Sequence, residues 1–259
     1  RDRAALFADS RYWTQAEAEL TGSGIELVKI PTGASTHHAE WLASHLKAGD
    51  QVGVDGQVLG LSAAQLLHQR FEPNGITLRT DVDLLADVWP DRPALPTAAV
   101  YEHRAPHAPL PRAAKLAQVR EAVLERGATH HLISTLDDIA WLFNLRGSDV
   151  PYNPVFLAHA LLDAHGATLF VGDGKINAEL QATLLGDSVR LAPYAQAAAA
   201  LAALPEGAML LVDPRRVTLG LRQAVPSVVK VIESINPSTL FKSRKTAAEA
   251  AHIREAMAQ

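Results

Sequence analysis

The chain has 259 residues, 48% hydrophobic and 20% charged, enough to bury a sizeable core in about two domains at roughly 100–200 residues each. Its 24 Lys and Arg against 28 Asp and Glu leave a net charge of -4, with no basic face for a phosphate backbone, so nucleic acid is excluded as a partner. No cysteine is present and no apolar run nears the roughly 20 residues of a membrane span, which removes thiol chemistry and membrane insertion and fits a reducing cytoplasm.

In chain order, the apolar run Ala4 to Ala8 predicts a first strand. Ile25 to Ile30 predicts a second, followed by a helix near Thr36 to Lys47, a strand from Gln51 to Val54 and a helix near Ser62 to Phe71. This alternation argues for α/β layering. Prolines at 90, 93 and 96, then again from His107 to Arg112, predict a linker over 89–111. A helix is expected from about Ala113 to Arg126 and a strand from His130 to Ser134. Val155 to Leu162 and Ala167 to Val171 read as a hairpin pair, with helix, strand and helix following to about Val231. Thr246 and Glu249 form a capping box that opens a last helix. Opening at Arg1 without a Met, and reaching Gln259 without a Gly, Asn or Pro stop, the chain reads as part of a longer protein.

A repeat runs through this order. Leu46 to Asp55 (Leu-Lys-Ala-Gly-Asp-Gln-Val-Gly-Val-Asp) aligns with Leu204 to Asp213 (Leu-Pro-Glu-Gly-Ala-Met-Leu-Leu-Val-Asp) at a constant offset of 158. Each match combines a helix end, a glycine cap, a strand and a terminal Asp, and each is preceded by a strand, a proline (Pro31, Pro193) and a helix. Two halves of one fold are expected.

The 11 histidines offer no catalytic or metal pattern. His37-His38 and His130-His131 are adjacent, so their rings diverge, and no His-Glu-x-x-His motif is present. They read as solvent-facing or capping residues. Gly22-Ser23-Gly24 and Gly172-Asp173-Gly174 lack a dinucleotide or P-loop context and read as caps or turns, and no Gly-x-Ser-x-Gly elbow occurs. The run from Asp137 to Phe156 stands apart. Ile139, Leu142 and Phe143 suit a helix turn on a sheet, after which Asn144, Arg146, Ser148, Asp149 and Asn153 gather in a loop broken at Gly147. Either Arg146 and Asp149 pair within that loop, or the loop presents binding groups on aromatic anchors.

The same run resembles the second domain of the three-domain Xaa-Pro aminopeptidases of the aminopeptidase P type, whose Trp-Leu-Phe-Asn-Leu-Arg-Gly-Ser-Asp core and following Asn-Pro-Val-Phe are matched at 141–149 and 153–156. Asp9-Ser10-Arg11-Tyr12 with Gln15-Ala16 is similar to the family's Asp-Gly-Arg-Tyr-x-x-Gln-Ala, with Ser10 in place of Gly. Trp89-Pro90-Asp91-Arg92-Pro93 and the Lys245, Glu249, Ile253, Arg254 pattern also resemble family landmarks, in family order.

The resemblance implies two similar creatinase/prolidase N-terminal-like α/β domains, each a mixed sheet flanked by helices, at 1–107 and 108–243. Residues 244–259 would lead into a pita-bread catalytic domain. It implies a cytoplasmic metalloenzyme that removes the residue before proline from short peptides, and a homodimer is expected as the commonest closed assembly. Two divalent ions, manganese by family habit, would be held outside this chain, which carries no catalytic or metal residue. Arg146, Asn144, Asp149 and Asn153 are the expected substrate-binding residues, with Arg146 suited to carboxylate or carbonyl oxygens by its planar fork. The alternative is that these domains serve a non-catalytic or differently specific creatinase/prolidase relative as an interaction module, or mediate oligomer contacts. A first strand without its preceding neighbour would leave an open sheet edge.

Overall fold

The structure is a computed structural model that describes residues 3–33 and 36–258. Arg1 and Gln259, on which the reading as part of a longer protein rests, lie outside the described residues. The chain forms two compact units, one running to Val54 and including Ala63–Val82, the other made of Asp55–Ser62 and everything from Asp83 onward.

The first unit carries β1 (Ala5–Ala8), α1 (Trp13–Glu19), β2 (Glu26–Lys29), α2 (His37–His45), β3 (Gln51–Gly53), most of α3 (Leu61–Phe71) and β4 (Thr77–Arg79). β1 pairs with β2 and β3 with β4, both parallel, with α1 and α3 providing the crossovers that parallel pairs need. β1 leads into α1 through a closed corner. The buried Asp9 accepts from Arg11 N at 3.1 Å, Nε at 3.0 Å and Nη2 at 2.7 Å, and Trp13 Nε1 donates to Ala8 O at 2.8 Å. The Arg11 hydrogen bonds hold the Asp9 carboxyl below its ordinary range.

The second unit continues with β5 (Tyr101–Glu102), α4 (Arg112–Glu125), β6 (His130–Ile133), α5 (Leu136–Leu142) and β7 (Leu145–Arg146). It then has β8 (Ala158–Leu162), β9 (Ala167–Val171), α6 (Ala178–Gly186), β10 (Val189–Pro193), α7 (Ala197–Ala202) and β11 (Met209–Val212). α8 (Leu219–Gln223), β12 (Lys230–Glu233), α9 (Pro237–Ser243) and α10 (Ala247–Met257) close it. Six strands form one mixed sheet in the order β10-β9-β8-β6-β11-β12. Only β8 runs antiparallel to both its neighbours, because β8 and β9 form the expected hairpin, with Leu162 opposite Ala167. Asp163 Oδ1 fixes its turn by accepting from His165 N at 2.7 Å and Gly166 N at 2.8 Å.

α4 shows why the core sits where it does. Leu116, Val119 and Val123 recur on one stripe and are buried with Ile133, Leu142, Phe143, Phe156 and Leu169. Each such side chain contributes about 1.5–3 kcal/mol on burial. The helix ends where Gly127 turns to φ 73° and Ala128 N donates back to Val123 O at 3.1 Å.

Two expectations need correction. The proline-rich stretch 89–111 is not a free linker throughout. Val100 is buried, its N–H donates to Lys175 O at 2.8 Å, and β5 pairs antiparallel with β7. His131 is not solvent-facing either. It lies fully buried in a central strand, its Nδ1 donating to Leu211 O at 3.0 Å, and burial pushes its pKa down to about 4.

The repeat has a structural counterpart. Gly49 (φ 91°) and Gly207 (φ 80°) precede β3 and β11 alike, and Asp55 and Asp213 follow them. Asp55 Oδ1 accepts Gln57 N at 2.8 Å and Asp213 Oδ1 accepts Arg215 N at 3.0 Å, the same turn at the same offset. Within the second unit these turns bind each other. Leu61 N donates to Val217 O and Leu219 N to Leu59 O, while Ser62 N donates to Pro214 O and Gly220 N to Gly56 O. Each bond maps onto its mate by the 158-residue offset, so the contact has local two-fold symmetry.

Candidate functional site

α5 starts after Thr135 with Asp137 and Asp138 in its first turn, where carboxylates favour the helix N-terminus. Asp138 is fully buried and ties α5 to α9, accepting from Ser238 Oγ at 3.1 Å and Thr239 Oγ1 and pairing with Lys242 Nζ at 2.7 Å. Lys242 also meets Asp137. Burial alone would lower the Lys242 pKa, but the two carboxylates outweigh it and raise it.

The helix stops at Asn144, whose φ of 52° suits Asn better than most residues. Its side chain is engaged on both sides: Oδ1 accepts Lys115 Nζ at 2.7 Å, and Nδ2 donates to Leu110 O at 2.9 Å. Lys115 is itself buried, donates to Trp141 O at 2.9 Å and lies 4.4 Å from the centre of the Trp141 ring. Burial lowers its pKa to about 8, against the pull of Glu249. β7 then sends Leu145 into the core and Arg146 to the other side, opposite Tyr101 of β5. Arg146 Nη1 donates to Ala140 O at 2.8 Å and Leu145 O at 2.9 Å, and burial lowers its pKa.

Gly147 follows because nothing larger fits: a Cβ there would stand 2.7 Å from Phe156 Cβ. Asp149 does not pair with Arg146. Its buried carboxylate holds Lys175 Nζ at 2.5 and 2.6 Å and accepts Leu157 N at 2.7 Å. Asn153, exposed, closes the loop through its N–H to Val150 O at 3.1 Å.

Beside this loop lies a cavity of about 300 Å³. Arg146, Asn153 and Trp141 form one wall, and Lys242, Lys245 and Glu249 another. Of the four residues expected at a site, the structure brings Arg146 and Asn153 to the cavity and engages the polar atoms of Asn144 and Asp149 internally. Sequence reasoning missed His103, His107 and His252, which also line it. His103 and His107 are four residues apart but outside any helix, and His252 lies far along the chain, so no helical motif joins the three. Among the described residues, no group of three or more His, Asp or Glu is placed to hold a metal ion. No helix among them is long and apolar enough to cross a membrane.

The pattern of the Creatinase/Prolidase N-terminal domain family matches residues 91–249, more than half of the chain. Aminopeptidase P2 of Arabidopsis thaliana is 35% identical over 227 residues, covering 85% of this chain and 32% of that protein. The probable Xaa-Pro aminopeptidase P of Paracoccidioides lutzii is 34% identical, covering 99% of this chain and 44% of its own length. The crystal structure of X-prolyl aminopeptidase from Caenorhabditis elegans, described as a cytosolic enzyme with a di-nuclear active site, superposes with a TM-score of 0.88 at 24% identity, over 98% of this chain and 42% of that one. The chain thus spans less than half the length of these relatives. With its mixed α/β sheet and that match over the whole of the loop region, it belongs to the creatinase/prolidase N-terminal domain family.

Proposed function

We propose that this chain is the N-terminal region of an Xaa-Pro aminopeptidase, with similar domains at 1–107 and 108–243 and a lead-in helix at 244–259. The intact protein, on this reading, is a cytoplasmic homodimer that removes the residue before proline from short peptides. The observation that carries the site is the guanidinium of Arg146, anchored through Nη1 to two backbone carbonyls at the cavity wall. A side chain fixed this way meets a peptide carbonyl or carboxylate with little further ordering. Asn153 shares that wall, whereas Asn144 and Asp149 act by holding the loop in shape.

The described residues do not fit a metal pair, so no step is derived through one. Two divalent ions, manganese in this proposal, belong to a catalytic domain of the whole protein. The test is release of arginine from Arg-Pro-Pro with Mn²⁺, comparing this chain, the full-length protein and its Arg146→Ala variant. Full-length activity, silence of this chain and a more than tenfold fall in kcat/KM for the variant are expected. Unchanged kinetics in the variant would remove Arg146 from substrate binding and favour a purely structural or oligomeric role. An inactive full-length protein would favour the non-catalytic interaction module.

A further inference from the structure

The cavity has a wall that peptide binding by Arg146 leaves unused. His103 follows β5, His107 lies four residues on, and His252 projects from α10. Ring centroids are 5.7 Å apart from His103 to His107 and 4.2 Å from His107 to His252. None of these imidazoles hydrogen-bonds to another described residue.

The charged groups around them are unequally engaged. Lys242 pairs with Asp137 and Asp138, Lys245 Nζ donates to Lys242 O, and Glu249 is closed on Thr246 in the capping box of α10. Lys115 is turned to Asn144 and the Trp141 face. Asp137 is therefore occupied, while Glu249 uses only Oε2 in the capping box and also attracts Lys115 and Arg146. Nε and Nη2 of Arg146 and all three imidazoles remain open, and a volume of about 300 Å³ suits a small ligand.

We propose that this cavity is a carboxylate site, in which Arg146 holds the anion and the imidazoles of His103, His107 and His252 line the wall beside it. The inference rests on the peptide reading for its ligand, the C-terminal carboxylate of a short peptide, although a free small acid carries the same group. Burial holds His103 below the ordinary imidazole range, with Arg146, His107 and His252 pushing the same way. A bound anion offsets the charge repulsion, so binding takes up protons and weakens as pH rises.

The test titrates the 259-residue chain with N-acetylglycylproline, its C-terminal amide and acetate, following tryptophan fluorescence at pH 5.5 and 8.0. The peptide acid should bind at least fivefold more tightly at pH 5.5, the amide should not bind, and Arg146→Ala should weaken binding more than tenfold. The His103→Asn change should flatten the pH dependence to under twofold. Equal binding of acid and amide, no binding at pH 5.5, or a pH dependence that survives His103→Asn overturns the proposal. Acetate binding as tightly as the peptide acid upholds the carboxylate site and overturns its assignment to a peptide end. Because no hydrolysis is read, failure here is distinct from failure of the peptidase reading, which shows only in the full-length assay.

Discussion

Asp149 and Asn144 show how a polar loop divides its labour. Both look like binding groups in sequence, since short polar residues beside a glycine are what a binding loop needs. Their partners, Lys175 and Lys115, lie 26 and 29 residues away, a distance no local pattern spans. Asp149→Ala leaves Lys175 Nζ buried with only Pro96 O at 3.2 Å, and should cost about 3–5 kcal/mol in urea unfolding. A loss below about 1 kcal/mol would mean that the pair does not hold the loop. His131 makes a pH prediction. Its folded pKa of about 4 lies below the unfolded value near 6.5, so the unfolded chain takes up the proton first. Its contribution is complete above about pH 6.5 and is lost as pH falls toward 4, at up to about 1.4 kcal/mol per unit. His159, also pushed down to about 4 by burial, acts in the same direction. His131→Asn can keep a donor for Leu211 O without a titrating ring, and its unfolding free energy should fall less between pH 7 and 5 than that of the unchanged chain.

The elements were legible where periodicity was long. The β8–β9 hairpin, α4 and the capping box of α10 all stand where alternation, a buried stripe and Thr246-x-x-Glu249 place them. β5 was not legible, because two residues among prolines carry no period and are a strand only through pairing with β7. That pairing sets the angle of Arg146, and Gly147 lets the chain turn immediately after it. Gly147→Ala should therefore cost about 1–3 kcal/mol through the clash with Phe156, which cannot withdraw from the core. On the proposed peptidase reading, the same change in the full-length protein should raise KM by displacing Arg146. Thermal unfolding together with peptide kinetics checks both, and an unshifted midpoint would show that the loop has room to give.

For the whole molecule, the repeat was visible at Leu46 to Asp55 and Leu204 to Asp213 because those segments end in the same Asp turn. The cavity was not, because its walls come from the loop after β5 and from α5, β7, α9 and α10, which meet only in the folded chain. The paired turns explain more than the alignment does. A contact related to itself by rotation puts the same backbone shape on both sides, so a drift in one turn is misfit for its twin unless both drift together. Elsewhere the two segments are free to differ, but here each turn acts as the other's template, and their resemblance persists where the chain pairs like with like.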